Sequence, residues 1–172
     1  MSLFLLGNIV ALIGALFMVG IGFMHNKRKI LVCQNLQFLI MGLGNLLLGG
    51  VSGFIADMIS IFRNIFCLKR ELTKGWKVFF IILQVGVSAI FLGFTGFAAR
   101  EILPIAATLT YTWMLDTKKE TVLKIVMLAT QLMWLVYDIS LMNISGMVFD
   151  ILTFCSNIVG FMRARKHEAV EA

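Results

Sequence analysis

Ser52-Gly53-Phe54-Ile55-Ala56-Asp57-Met58-Ile59-Ser60-Ile61-Phe62-Arg63-Asn64 returns 93 residues later as Ser145-Gly146-Met147-Val148-Phe149-Asp150-Ile151-Leu152-Thr153-Phe154-Cys155-Ser156-Asn157. Both copies keep Ser-Gly, an aspartate, a hydroxyl residue and an asparagine, and most positions between are apolar. Asp57, Ser60 and Asn64 are spaced i, i+3, i+7, as are Asp150, Thr153 and Asn157, so each trio forms one stripe down one face of a helix. Seven residues is nearly two whole turns, and the stripe drifts by only ~20°. The same shift lays Arg70 on Arg163 and, in the preceding helix, Asn45 on Asp138. The first helix of each half matches poorly.

Around these stripes the composition is that of a membrane protein. Of 172 residues, 60% are hydrophobic and 14% charged, with a mean hydropathy of +0.95, where a soluble domain runs near a quarter charged. So much apolar surface cannot be hidden inside so small a globule, and lipid must cover it. Spanning ~30 Å of hydrocarbon takes ~20 apolar residues, fewer when a helix is enclosed by others. Apolar runs predict seven spans: 3–24, 30–48, 50–68, 78–97, 102–115, 121–141 and 144–162. The fifth is the shortest and holds Pro104, the only proline, in its first turn, where a missing N–H costs least. Adding Ala98 to Glu101 would lengthen it at the expense of a loop.

Seven spans put the termini on opposite sides, and the basic residues decide which way round. With the N-terminus outside, the cytoplasmic segments hold Lys27, Arg28, Lys29, Lys69, Arg70, Lys74, Lys77, Lys118, Lys119, Lys124, Arg163, Arg165 and Lys166, against Arg100 alone outside. The expected fold is all-α, with a first triple-helix repeat over 1–69, a cytoplasmic loop and linker helix over 70–98, a second triple-helix repeat over 99–164 and a cytoplasmic tail over 165–172. One odd helix between the repeats makes them parallel, related by an axis along the membrane normal.

Other classes fit poorly. The net charge of +6 falls in short clusters between apolar runs, as in membrane loops, which speaks against nucleic acid. Cys33, Cys67 and Cys155 lie inside apolar runs without metal-ligand or CxxC spacing. The first span has no preceding side-chain charge and is followed by His25-Asn26-Lys27-Arg28-Lys29, so it reads as a retained helix rather than a cleaved signal. No HExxH, nucleophile elbow or phosphate loop is present, and the reading is of no enzyme, no metal and no cofactor.

Parallel repeats aim both stripes at one central axis. On a helix rising 1.5 Å per residue, Asp57 lies ~10 Å below the outer end of the third span and Asn64 ~20 Å below. The second span returns past them, bringing Gln37 near the level of Asn64 and Asn45 near that of Asp57. In the other half Thr130 with Gln131 and Asp138 occupy the matching levels. Two layers are expected: an inner, amide-rich layer of Asn64, Asn157, Gln37, Thr130 and Gln131 for substrate, joined by Ser60 and Thr153, and an outer layer of Asp57, Asp150, Asp138 and Asn45 for a proton, a cation or a gate. Amides and hydroxyls also serve as glue between membrane helices, at ~0.6 to 2 kcal/mol apiece. In-membrane carboxylates cost ~2.5 to 3.5 kcal/mol each and more often mark a pathway. Asp138 is nearest the outer surface and can simply reach water. Arg63, opposite Ser156 in the repeat, can snorkel to the cytoplasm or bind an anionic substrate group. Trp113 and Trp134 can stack on a ring or anchor the helices, and Trp76 beside Lys74 and Lys77 reads as an interface anchor. The spacing Gly49-x-x-x-Gly53 suits close helix packing.

The segments Glu101-Ile102-Leu103-Pro104 with Thr112-Trp113, Phe62-Arg63-Asn64, and Asn157-Ile158-Val159 before Met162-Arg163 make the chain resemble the YgjV-like bacterial inner-membrane proteins over nearly its whole length. Its architecture resembles that of the SWEET sugar facilitators and their PQ-loop and PnuC-type relatives. The SWEET resemblance implies that Asn64 and Asn157, on the third helix of each half, face a central substrate. It does not extend to sugar specificity or gating, because the SWEET prolines and a Pro-Gln dipeptide are missing. The sequence thus leads to a transporter of a small polar solute in the bacterial inner membrane. A receptor or assembly protein whose stripes only lock helices is the alternative. Substrate identity and oligomeric state stay open.

Overall fold

In the computed structural model, residues 2–22, 27–115, 117 and 120–171 are described, and every regular element among them is helical. The helices are α1 (Leu3–Gly22), α2 (Lys27–Leu47), α3 (Val51–Cys67), α4 (Lys74–Thr95), α5 (Ile102–Met114), α6 (Glu120–Leu141) and α7 (Ile144–Glu171), with a 3-10 turn at Ala99–Glu101 before α5. Helices thus stand at all seven predicted spans. Three are long and apolar enough to cross a membrane, over Lys74–Thr95, Thr121–Leu141 and Ile144–Met162, while Leu3–Phe17 and Leu31–Leu47 are shorter apolar helices. Met24 at the end of the first expected span, His25, Lys118 and Lys119 lie outside the described residues. α7 runs to Glu171, past the apolar segment, into residues read from sequence as a tail.

Two tight turns show the repeat at backbone level. Gly49 takes φ +82° between α2 and α3, and the Gly50 N–H donates to the Asn45 carbonyl at 2.7 Å. Met142, 93 residues on, takes φ 55° between α6 and α7, and the Asn143 N–H donates to the Asp138 carbonyl at 2.9 Å. A left-handed turn costs a non-glycine residue ~1 to 2 kcal/mol, so Met142 is held there by its surroundings.

Each helix touches few others. α1 packs on α2, α2 on α3, α3 on α5, α5 on α6, α6 on α7 and α7 on α1, which closes a ring of six. α4 stands outside this ring against α3 and α5. Its seam with α3 is apolar: Ile55 and Ile59 meet Phe80, and Phe66 lies 4.3 Å from the Trp76 ring, which places that tryptophan in packing.

The ring is apolar outside and polar inside. Phe62, Phe94, Val159 and Met162 point outward, while Asn45, Asp57, Asn64, Asp138 and Asn157 are buried. In a soluble protein the order is reversed. The 93-residue shift also superposes burial in the first helices, whose sequences match poorly: Ala11 with Pro104, Gly14 with Ala107 and Ala15 with Thr108 are all buried. α1 can approach α2 closely there because Gly14 faces Met41 and Gly44 faces Ala11. Gly49 has nothing within 4 Å of a Cβ built on it, so its role is the turn and not the close packing that its spacing suggests.

A polar cavity inside the helix ring

The ring encloses a cavity of about 950 Å³. Every candidate site residue from the sequence lines it: Asn64, Asn157, Gln37, Thr130, Gln131, Ser60, Thr153, Arg63, Trp134, Asp57, Asp150, Asp138 and Asn45. At one end it reaches the exposed loop Lys69–Thr73, and at the other it stops against buried acids.

The acidic end is built by α2, α3, α6 and α7. Asn45 Nδ2 donates to Asp57 Oδ2 at 3.3 Å, Asn143 Nδ2 donates to Asp138 Oδ1 at 3.2 Å, and Gln131 Nε2 donates to Asp150 Oδ1. The carboxyl groups of Asp138 and Asp150 lie within hydrogen-bonding reach of each other. Asp150 Oδ2 is buried and accepts no hydrogen bond. Two sequence expectations change here. Gln131, assigned to the amide layer, reaches the acidic one, since its long side chain spans to the next helix. Asp138 does not reach water, being 2% exposed.

Toward the open end the lining becomes neutral. Asn64 Nδ2 donates to Gln34 Oε1 at 3.4 Å, and Asn157 is buried on the opposite repeat. The Thr130 hydroxyl turns back to the Val126 carbonyl at 3.0 Å. Trp134 meets Tyr137 edge-on, with ring centroids 5.8 Å apart. Arg63 does not snorkel: it is 3% exposed, donates from Nη1 to Thr112 Oγ1 at 2.7 Å and lies over the Tyr111 ring at 5.4 Å. α5 supplies both partners, so this guanidinium ties α3 to α5. Trp113, by contrast, is half exposed outside the cavity, and its carbonyl accepts from Lys77 Nζ at 2.9 Å.

Beyond the acids, contacts between residues distant in sequence close the ring. A helix N-terminus leaves N–H groups without partners, and α3 has no side-chain cap of its own. The Ser52 N–H donates to Glu101 Oε2 at 2.9 Å, and the Gly53 N–H donates to the Tyr137 hydroxyl at 3.1 Å. At the start of α7 the Ile144 and Ser145 N–H groups donate to Asn8 Oδ1 at 2.8 and 3.4 Å. The first turns of α3 and α7 are therefore each capped by a residue distant in sequence. Sequence reasoning missed Asn8, Glu101, Tyr137 and Asn143. The signal was present for the first two: 8 and 101 also differ by 93, and both residues are polar.

Chemically, the lining can hydrogen-bond a polar molecule, hold an anionic group on Arg63 and hold a cation or proton on the acids. Among the described residues no cluster of His, Cys, Asp or Glu is arranged to hold a metal ion. No curated protein and no solved structure matches the chain significantly. One family profile does, over residues 5–168, and it describes a bacterial inner membrane protein. With nearly its full length matched, the chain belongs to the YgjV family of bacterial inner membrane proteins.

Proposed function

We propose that this protein transports a small polar solute through a central site between two parallel repeats, opening to either side in turn as one repeat rocks against the other. The carrying observation is the cavity of about 950 Å³, walled by polar side chains of both repeats, open at the Lys69–Thr73 loop and sealed opposite by bonds between the repeats. Residues 1–69 and 99–164 form the repeats and α4 the linker, an arrangement supported by the closed ring and by the shift of 93 in turns, burial and caps. The plan is that of the SWEET, PQ-loop and PnuC-type transporters. With the N-terminus outside and the C-terminus cytoplasmic, the open end faces the cytoplasm. Buried polar atoms left unpaired along the wall, such as Arg63 Nε and Asp150 Oδ2, suit a site that a solute completes better than a wall of interlocked glue.

An uptake screen of small polar solutes in proteoliposomes tests this. Protein-dependent accumulation of at least one solute is expected. Folded protein that moves none of them defeats the reading.

A further inference from the structure

We propose that the solute is a zwitterion of the amino-acid type, its carboxylate held by Arg63 and its ammonium by the carboxylates of Asp57, Asp138 and Asp150. This rests on the transport reading and narrows it to one chemical class.

Arg63 is a fixed positive charge without a negative partner. Its hydrogen-bond partner is the neutral Thr112 hydroxyl, it lies over the Tyr111 ring, and Nε is buried with no acceptor. The ion pair between Arg100 and Glu101 lies elsewhere and does not involve Arg63. Burying a charge is costly unless a counter-charge completes it, and the guanidinium fork fits a carboxylate through two parallel bonds. A free donor thus points to a missing oxyanion.

The far end has the opposite need. Three acids meet there with one amide donor each, Asp138 and Asp150 lie within reach of each other, and Asp150 Oδ2 has no amide or hydroxyl donor. A cationic donor would complete them. Arg63 stands six residues from Asp57 on α3, ~9 Å along the axis, so the charges are kept apart across the cavity instead of neutralising each other. A dianion would meet three acids, a dication would meet Arg63, and an uncharged solute would leave both ends unmatched. Asp57 and Asp150 are counterparts at the 93-residue shift, but the counterpart of Arg63 is the exposed Ser156. That break in symmetry gives the site two different ends.

Binding to purified protein in lipid nanodiscs decides the matter. The probes are the standard α-amino acids and the ω-amino acids up to 6-aminohexanoate, each beside its N-acetyl and its carboxamide derivative. At least one parent compound should bind, and both of its derivatives roughly ten- to a hundredfold more weakly. Arg63→Gln should erase the preference for carboxylate over carboxamide, and Arg63→Lys should keep part of it. The wild-type comparison stands even where a variant fails to fold. Binding of no parent compound, a derivative that binds as well as its parent, or a folded Arg63→Gln that keeps the preference overturns the assignment. Uptake of an uncharged solute alone, in proteoliposomes from the same preparation, would refute the zwitterion and leave transport standing. Uptake of nothing would refute transport itself.

Discussion

Asn8 and Glu101 stand 93 residues apart and occupy equivalent places: Asn8 accepts backbone N–H bonds from the first turn of α7, and Glu101 accepts one from the first turn of α3. In the proposed transport cycle, opening the acidic end breaks these bonds, so they favour the closed form.

Glu101→Ala is expected to loosen that closure. Leaving the Ser52 N–H without its partner costs ~1 to 3 kcal/mol, a roughly 5- to 150-fold shift toward the open form. Ser60→Cys, in protein whose Cys33, Cys67 and Cys155 are replaced by serine, reports it. A membrane-impermeant thiol reagent added on the side of the α2–α3 turn should modify Ser60→Cys faster when Glu101→Ala is present. Equal rates would mean that the bond does not govern opening.

The amide layer can be probed in the same way. Asn64→Cys and Asn157→Cys should react with small water-soluble thiol reagents in the native protein, and bound solute should slow the reaction. Modification only after denaturation would assign both asparagines to helix packing.

The acids predict a dependence on pH. A proton and a cationic group compete for the same carboxylates, so acidifying the loading side should reduce uptake. Asp57→Asn with Asp150→Asn should weaken that dependence, leaving only Asp138 to titrate, and remove most of the affinity. A flat wild-type profile would remove the carboxylates from the transport cycle. Uptake that rises along an imposed inward proton gradient would instead make the proton a co-transported ion.

Adjacent glycines should respond differently to alanine. A Cβ on Gly50 would collide with the Tyr137 hydroxyl, so Gly50→Ala forces the closed end apart and costs roughly 1 to 3 kcal/mol. Gly49→Ala meets no atom and carries only the left-handed backbone cost of ~1 to 2 kcal/mol, which Met142 already tolerates. Thermal unfolding in detergent should show a loss for both, with the fast-labelling phenotype of Glu101→Ala in Gly50→Ala alone.

Orientation has its own check. A reporter fused after Ala172 should be cytoplasmic and one before Met1 exported, and finding both on one side would contradict the seven-span topology.

The sequence was most legible where polar residues interrupt a strict helical period. Asn45 opposite Asp57 followed from one helix running back past another at 1.5 Å per residue, and the structure places them in contact. Reach is not written in a period, which is why Gln131 went to the wrong layer. Burial could not be read for Arg63, because snorkelling and inward pointing use the same residue at the same depth. The capping role of Asn8 and Glu101 was hidden for a different reason. In the first helices the repeat persists as size and burial, with little identity of residues, and small side chains at Ala11, Pro104, Gly14 and Ala107 do not announce a face.

The contact of α1 with α7 closes the ring between helices far apart in the chain. Until α7 is in place the ring is therefore an open arc in which Gln131 lacks Asp150, and Asp57 and Asp138 border the gap. At ~2.5 to 3.5 kcal/mol for each charged group facing hydrocarbon, that arc is a strained intermediate, relieved in one step when α7 arrives. Biogenesis should accordingly be all-or-none: a chain cut before Ile144 gains nothing from its six finished helices, and membrane proteolysis rather than partial transport is its expected fate.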